Sequence, residues 1–168
     1  MRRASIGATF NFYRDGDGAD ARCHRLHAYL EARENAPLLL VGEAAGHRGA
    51  RVSGIPFTSE RQLTGRGPAE ATATIVRRTL AELGLEDATV CWNVVPTHPH
   101  RPSQPHSNRP PTRAEIDESL WYLDELARTR PVIPVGRVAE RALGVPGVRH
   151  PSHGGAQAFR DGLRRSLA

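Results

Sequence analysis

The segment "PLLLVGEAAGHRGARVSGIPF", residues 37–57, joins a strongly apolar run to a loop of glycines, arginines and one aromatic residue. Residues 37–42 are continuously apolar apart from a final glycine, a pattern typical of a strand that is buried on both faces. The run stops at Glu43, and a carboxylate is costly to place beside a buried strand unless it has a partner. One interpretation is a structural ion pair between Glu43 and Arg48 or Arg51. The other is that Glu43 belongs to a functional site together with Phe57.

Further strands and helices alternate along the chain. Short apolar runs predict strands at 88–96, 131–136 and 147–150, and helical spacing predicts helices at 19–33, 68–84, 112–129, 137–144 and 155–168. Thr112 and Glu115 have the spacing of a capping box at the start of one of these helices. The alternation predicts an α/β fold with a parallel sheet covered by helices on both faces, in a single domain of residues 1–168.

The composition limits the classes of function. The 168 residues carry a formal net charge of +5, and all basic residues are arginines, which suits contacts with phosphates and guanine edges. Cys23 and Cys91 lack C-x-x-C spacing, so we expect free thiols rather than a disulfide scaffold. The first residues lack the apolar stretch of a signal peptide, so we expect a soluble, cytoplasmic protein with no membrane partner. A P-loop is excluded because no G-K-S/T follows the glycines.

The segment 96–111, "PTHPHRPSQPHSNRPP", is rich in proline and histidine and follows a predicted strand directly. A connection of this length without secondary structure is usually functional or disordered. Its start at the carboxyl end of a strand places it where open α/β sheets bind ligands. His98, His100 and His106 are an alternative zinc site, but they lack a fixed fourth ligand and are a poor template for one.

Polar residues stand at or near the ends of three predicted strands. Glu43 follows the first strand, Asn93 lies near the end of the second, and His150 ends the last. Because the carboxyl ends of parallel strands share one edge of a sheet, we expect these side chains to line one crevice. Each has a structural alternative: Asn93 as a partner of loop backbone, His150 as a turn residue, and Phe57 as core. Together they supply an amide that can read a base edge, a stacking face, an imidazole and a carboxylate.

Six short motifs follow one another along the chain: "GEAAG" at 42–46, "GIPF" at 54–57, "NVVP" at 93–96, "NRPPTRAEI" at 108–116, "VGRVAERALG" at 135–144 and "HPS" at 150–152. In this order they resemble the uracil-DNA glycosylase superfamily, most closely its thermostable iron–sulfur branch. The resemblance runs from about residue 37 to residue 165. It implies a three-layer α/β/α sandwich with a short central sheet of four parallel strands.

The resemblance also implies roles for individual residues. Phe57 would stack on a flipped-out uracil, Asn93 would bind its Watson–Crick edge, and His150 would stabilise the departing base. Glu43 would orient water or stabilise the cationic sugar. Gly42 and Ala44 would border the base, and the glycines would let backbone approach the nucleotide. Contacts with DNA are expected from Arg48, Arg51, Arg109, Ser152 and His153.

Several positions depart from the family pattern. Two cysteines cannot supply the four ligands of an iron–sulfur cluster, so we expect no cofactor and no metal. Ala44 and Gly46 replace the aspartate and the thymine-excluding tyrosine of the best-known uracil glycosylases, and Ala45 replaces a proline. His153, Gly154 and Gly155 stand where the family usually has a leucine wedge.

From the resemblance we expect a monomeric glycosylase acting at the nucleoid on DNA containing uracil or another deaminated base. The alternative is a lesion-binding module that retains the pocket without catalysis.

Overall fold

A parallel sheet of three strands forms the centre of the computed structural model, which describes residues 1–167. The strands are β1 (Leu38–Ala44), β2 (Thr89–Val95) and β3 (Val132–Pro134), and their order in the sheet is β2-β1-β3. Every residue of β2 is buried, as are Leu39 to Gly42 of β1. This burial explains why both strands are apolar apart from Glu43, Thr89 and Asn93. The parallel sheet and the helices around it confirm the predicted α/β class.

Residues 1–167 contain seven helices. They are α1 (Ala19–Glu31), α2 (Ala50–Ser53), α3 (Glu60–Thr64), α4 (Ala71–Glu82), α5 (Arg113–Ala127), α6 (Arg137–Leu143) and α7 (Ala156–Ser166). Helix α5 packs on β2, and α6 packs on the sheet. The predicted capping box is confirmed, since the Thr112 side chain accepts a hydrogen bond from the Glu115 backbone and the Glu115 side chain accepts one in return. No helix within residues 1–167 is long and apolar enough to cross a membrane.

The prediction of a fourth strand at 147–150 is wrong, since residues 1–167 form only three strands. Val148 makes only an isolated parallel bridge to Val135, with hydrogen bonds from Val148 N–H to the Pro134 carbonyl and from Gly136 N–H to the Val148 carbonyl. Pro134 has no N–H to donate, and Gly136 leaves the strand conformation with φ of 85°. Prolines at 146 and 151 flank the bridge. The ladder therefore cannot extend, although the bridge still brings residue 150 to the sheet edge.

Part of the first 18 residues packs into the core, which the sequence did not indicate. Phe12 and Tyr13 are fully buried, and Phe10 exchanges two backbone hydrogen bonds with His98, of 2.9 and 3.0 Å. The Tyr13 hydroxyl donates to the Gly54 carbonyl at 2.9 Å. The amino-terminal segment therefore braces two loops at the carboxyl edge of the sheet.

Candidate active site

A cavity of about 220 Å³ lies at the carboxyl edge of the sheet and contains the four residues that the sequence analysis singled out for chemistry. Glu43 comes from the end of β1, Asn93 from β2, Phe57 from the loop after α2, and His150 from the segment after the Val148 bridge. The remaining lining residues are Ala44, Ala45, Gly46, Ala50, Glu70, Thr72, Pro99, Asn108 and Arg109. The predicted crevice thus exists, and two strands and the segment after the Val148 bridge bring Glu43, Asn93 and His150 to it.

Because Gly42 lacks a side chain, the Phe57 ring and the Asn93 amide can both lie close to the backbone of β1. Gly42 pairs with Asn93 across the sheet, and a Cβ atom at residue 42 would lie 2.5 Å from Phe57 Cζ and 2.8 Å from Asn93 Oδ1. The Phe57 ring and the Asn93 amide therefore both lie against the bare backbone of β1. Asn93 is 4% exposed, and its side chain makes no hydrogen bond to the described part of the protein. Its amide is thus available to a ligand.

The Phe57 ring is held by a strained turn. Phe57 has a φ of 51°, in a region that residues other than glycine rarely adopt. The Ser53 hydroxyl donates to the Thr58 carbonyl at 2.6 Å and accepts from the Ile55 N–H at 3.0 Å. Since Tyr13 also binds the turn at Gly54, the conformation is fixed from two sides. Backbone strain of this kind persists where the surroundings enforce it, and it is concentrated at functional sites.

Glu43 is an unpaired acid in the cavity. Burial raises the pKa of its carboxyl group, and burial is the sole cause of that shift. The ion-pair interpretation finds no support within residues 1–167. Arg48 is exposed, and Arg51 lies over the Phe10 ring, 5.5 Å from its centroid, with NH1 3.5 Å from His47 Nδ1. The acid at the end of β1 therefore faces the cavity without a cation.

His150 presents a single N–H to its surroundings. Its Nδ1 atom accepts a hydrogen bond from the Ser152 backbone N–H at 3.2 Å and lies 2.7 Å from the Ser152 hydroxyl. Because Nδ1 is an acceptor, the neutral ring carries its proton on Nε2. Burial, followed by the charges of Arg149 and His153, lowers the pKa of His150. The residue is therefore a neutral hydrogen-bond donor at neutral pH.

The predicted DNA-contact residues differ in their surroundings. Arg48 and His153 are exposed, and Ser152 is engaged with His150. Arg109 lines the cavity, but its guanidinium forms a bidentate ion pair with Glu115, at 2.6 and 2.8 Å. Two arginines that the sequence analysis did not select, Arg137 and Arg149, line an adjoining cavity of about 360 Å³ that shares Glu43 and His150 with the first.

The segment 96–111 begins buried and then becomes exposed. The His98 side chain is fully buried and its Nδ1–H donates to the Ala45 carbonyl at 2.8 Å; burial lowers the pKa of His98 to about 4. The ring centroid of His47 lies 6.2 Å from that of His98 and 5.1 Å from that of His106, and the His98 and His100 centroids lie 5.9 Å apart. In the part of the chain that the structure describes, no three residues of His, Cys, Asp or Glu are arranged to hold a metal ion.

Glu70 and Asn108 are cavity residues that the sequence analysis missed. Asn108 belongs to the "NRPP" motif, and its Oδ1 atom accepts a hydrogen bond from the His47 N–H at 2.9 Å, which links two loops of the site. Glu70 precedes α4, where an acid is expected merely to favour the helix dipole. Gly46 and Gly49 were expected to let the backbone approach a nucleotide. The Glu70 carboxylate instead occupies the space where a Cβ atom of residue 46 or 49 would lie.

Comparisons with known proteins address the fold and the family of the chain. The crystal structure of wild-type SMUG2 from Pedobacter heparinus superposes with a TM-score of 0.67 and 12% sequence identity, over 98% of this chain and 89% of that one. An identity this low shows a shared fold only. No curated protein sequence matches the chain. The sequence profile of the "Uracil DNA glycosylase superfamily" matches residues 30–164, which is most of the chain. The protein therefore belongs to the uracil DNA glycosylase superfamily.

Proposed function

We propose that this protein is a monofunctional DNA glycosylase that excises uracil from DNA. The observation that carries the proposal is one cavity that contains a buried phenyl ring, a free amide, a neutral imidazole and an unpaired carboxylate, contributed by Phe57, Asn93, His150 and Glu43. These groups match the needs of base recognition and of the two charges that form when a glycosidic bond breaks. Superfamily membership supports the same reaction class.

Recognition requires that the base leave the DNA stack. Extrusion costs a few kcal/mol, which stacking and phosphate contacts offset. The ring of Phe57 gives the extruded base a stacking surface. The Asn93 amide offers one acceptor and two donors to the base edge, so it can pair with the adjacent N3–H and O4 of uracil. Phosphates would bind exposed arginines such as Arg48, Arg137 and Arg149.

Bond cleavage separates charge between the sugar and the base. The C1′–N1 bond breaks with its electron pair going to uracil, and water supplies the new C1′–O bond and releases a proton. The neutral His150 donates a hydrogen bond from Nε2 to O2 of the uracil anion, and uracil then takes a proton from solvent. The Glu43 carboxylate stabilises the oxocarbenium-like sugar. Fixed groups of this kind act strongly in a site that excludes water.

The product is expected to be an intact strand with an abasic site. The chain has no lysine, so no side-chain amine can form a Schiff base with the sugar. An oligonucleotide with one uracil should be cleaved only after heat or alkali follows incubation with the enzyme. The matched oligonucleotide with thymine serves as the control, and hypoxanthine, xanthine and mismatched thymine complete the panel.

Two results would contradict the proposal in different ways. Tight binding of uracil-containing DNA without excision of any base in the panel would identify a lesion-binding module. Borohydride trapping of a covalent enzyme–DNA adduct would show a bifunctional mechanism instead.

A further inference from the structure

Glu70 is a second carboxylate in the cavity, and its side chain does not serve the helix that it precedes. It occupies the N-cap position of α4 in an extended conformation, with φ of −123° and ψ of 125°. A side chain at this position commonly caps the first turn, yet Glu70 makes no side-chain cap hydrogen bond. It lines the cavity instead, together with Glu43 and His150.

The Glu70 carboxylate packs against the loop after β1 at Gly46 and Gly49. A Cβ atom at Gly46 would collide with Glu70 Oε1, and a Cβ atom at Gly49 would collide with Glu70 Oε2. Neither glycine has a positive φ, although Gly49, with φ of −100° and ψ of −118°, lies outside the main regions that other residues adopt. The Glu70 carboxylate thus occupies the space that side chains at these two positions would fill.

No cation offsets the charge of Glu70 within residues 1–167. Burial alone raises the pKa of its carboxyl group. Arg109, which lines the same cavity, is paired with Glu115, and Arg51 lies over the Phe10 ring. A half-buried acid without a partner lowers stability, and such groups occur where they have a chemical task.

We infer that Glu70 is a second catalytic residue, which binds the attacking water and accepts its proton while Glu43 stabilises the sugar cation. This inference rests on the proposed glycosylase function. The water oxygen forms the bond to C1′ as the C1′–N1 bond breaks, its proton moves to a Glu70 oxygen, and that proton later passes to solvent. The two acids thereby divide two tasks: one opposes positive charge, and the other takes a proton.

The test compares single-turnover excision of uracil by the wild type, Glu70→Gln, Glu70→Ala and a control, Glu34→Gln, whose carboxylate is exposed and outside the cavity. Glutamine preserves shape but cannot accept the proton. We expect both Glu70 variants to lose about 10²–10⁴-fold in rate, the range of general base catalysis. Added formate should restore part of the rate to Glu70→Ala by supplying a carboxylate, and the control should match the wild type.

A pH profile separates a base from a structural residue. The wild-type rate should fall as pH drops through the raised pKa of Glu70, because the protonated acid cannot take a proton from water. Glu70→Gln should lose this inflection, whereas Glu43→Gln should keep it. Other ionisable groups near the cavity can also affect the pH profile. They are Glu43 on β1, His47 and Arg48 on the loop after β1, Arg51 on α2, and Arg109 and His150 on the two loops opposite.

The outcomes distinguish the inference from the function on which it rests. An inactive wild type would refute both. An active wild type with an equally active Glu70→Gln would refute the role of Glu70 alone. The role of Glu70 would also be refuted by a different combination of results. In that case Glu70→Gln is slow, melts at a lower temperature and keeps the wild-type pH inflection, and formate does not restore the rate of Glu70→Ala.

Discussion

The variant His150→Ala is expected to excise uracil about 10²–10³-fold more slowly than the wild type, the loss typical of one preorganised donor to a developing anion. Ser152 fixes the ring through Nδ1, so the Nε2–H is the group that alanine removes. Because the pKa of His150 is lowered, the ring is already neutral at neutral pH, and raising the pH further should not reduce its contribution. The measurement is a single-turnover rate with enzyme in excess.

Binding and folding should change far less than the rate. Phosphate contacts dominate affinity for DNA, so the dissociation constant for uracil-containing DNA should stay within severalfold of the wild type. His27→Ala, at an exposed position on α1, is the matched control and should retain full activity. An unchanged rate for His150→Ala would remove the residue from the reaction.

The largest effect on stability is expected from Arg109→Leu, which should reduce the free energy of unfolding by about 3 kcal/mol, the lower end for breaking a buried ion pair. The Glu115 side chain is 3% exposed and the Arg109 side chain 19%, so the substitution leaves a buried carboxylate without its cation. Urea unfolding at neutral pH measures the difference. The same pair anchors the segment 96–111, since Arg109 Nε also donates to the His100 carbonyl at 2.9 Å.

The pH dependence of this effect has a definite sign. Hydrogen bonds from Arg109 lower the pKa of Glu115. The pair therefore stabilises the wild type fully above the pKa of an unfolded glutamate, and its contribution is lost as pH falls through the lowered pKa. The difference between the wild type and Arg109→Leu should shrink in acid. The double variant Arg109→Leu/Glu115→Leu should recover part of the lost stability, and equal stability of all three proteins would contradict a structural role for the pair.

The sequence predicted the features that depend on local patterns. Continuous apolar runs identified β1 and β2, although β1 extends to Ala44 and so includes Glu43. Parallel strands then required the ends of these runs to meet, which placed Glu43 and Asn93 in one cavity without any knowledge of distances. The motif resemblance is confirmed by the superfamily match to residues 30–164.

Features that depend on contacts distant in sequence were not predictable. An acid before a helix is ordinary, so nothing in the sequence indicates that Glu70 turns away from α4 toward Gly46 and Gly49. The run at 147–150 has strand composition, but Pro134 lies opposite and prevents a ladder. The first 18 residues show no regular period, and only tertiary packing explains why Phe12 and Tyr13 are buried.

We propose that Glu43, unpaired in the cavity, acts on the reaction rather than on folding. The direct measurement is the single-turnover rate of uracil excision and the melting temperature of the wild type and Glu43→Gln, taken on the same preparations. Because burial raises the pKa of Glu43, its ionised form lowers stability at neutral pH, so the glutamine variant should melt at the wild-type temperature or above it. Its rate should fall by about 10- to 1,000-fold. A glutamine variant that melts at a much lower temperature and excises uracil at the wild-type rate would contradict this role for Glu43.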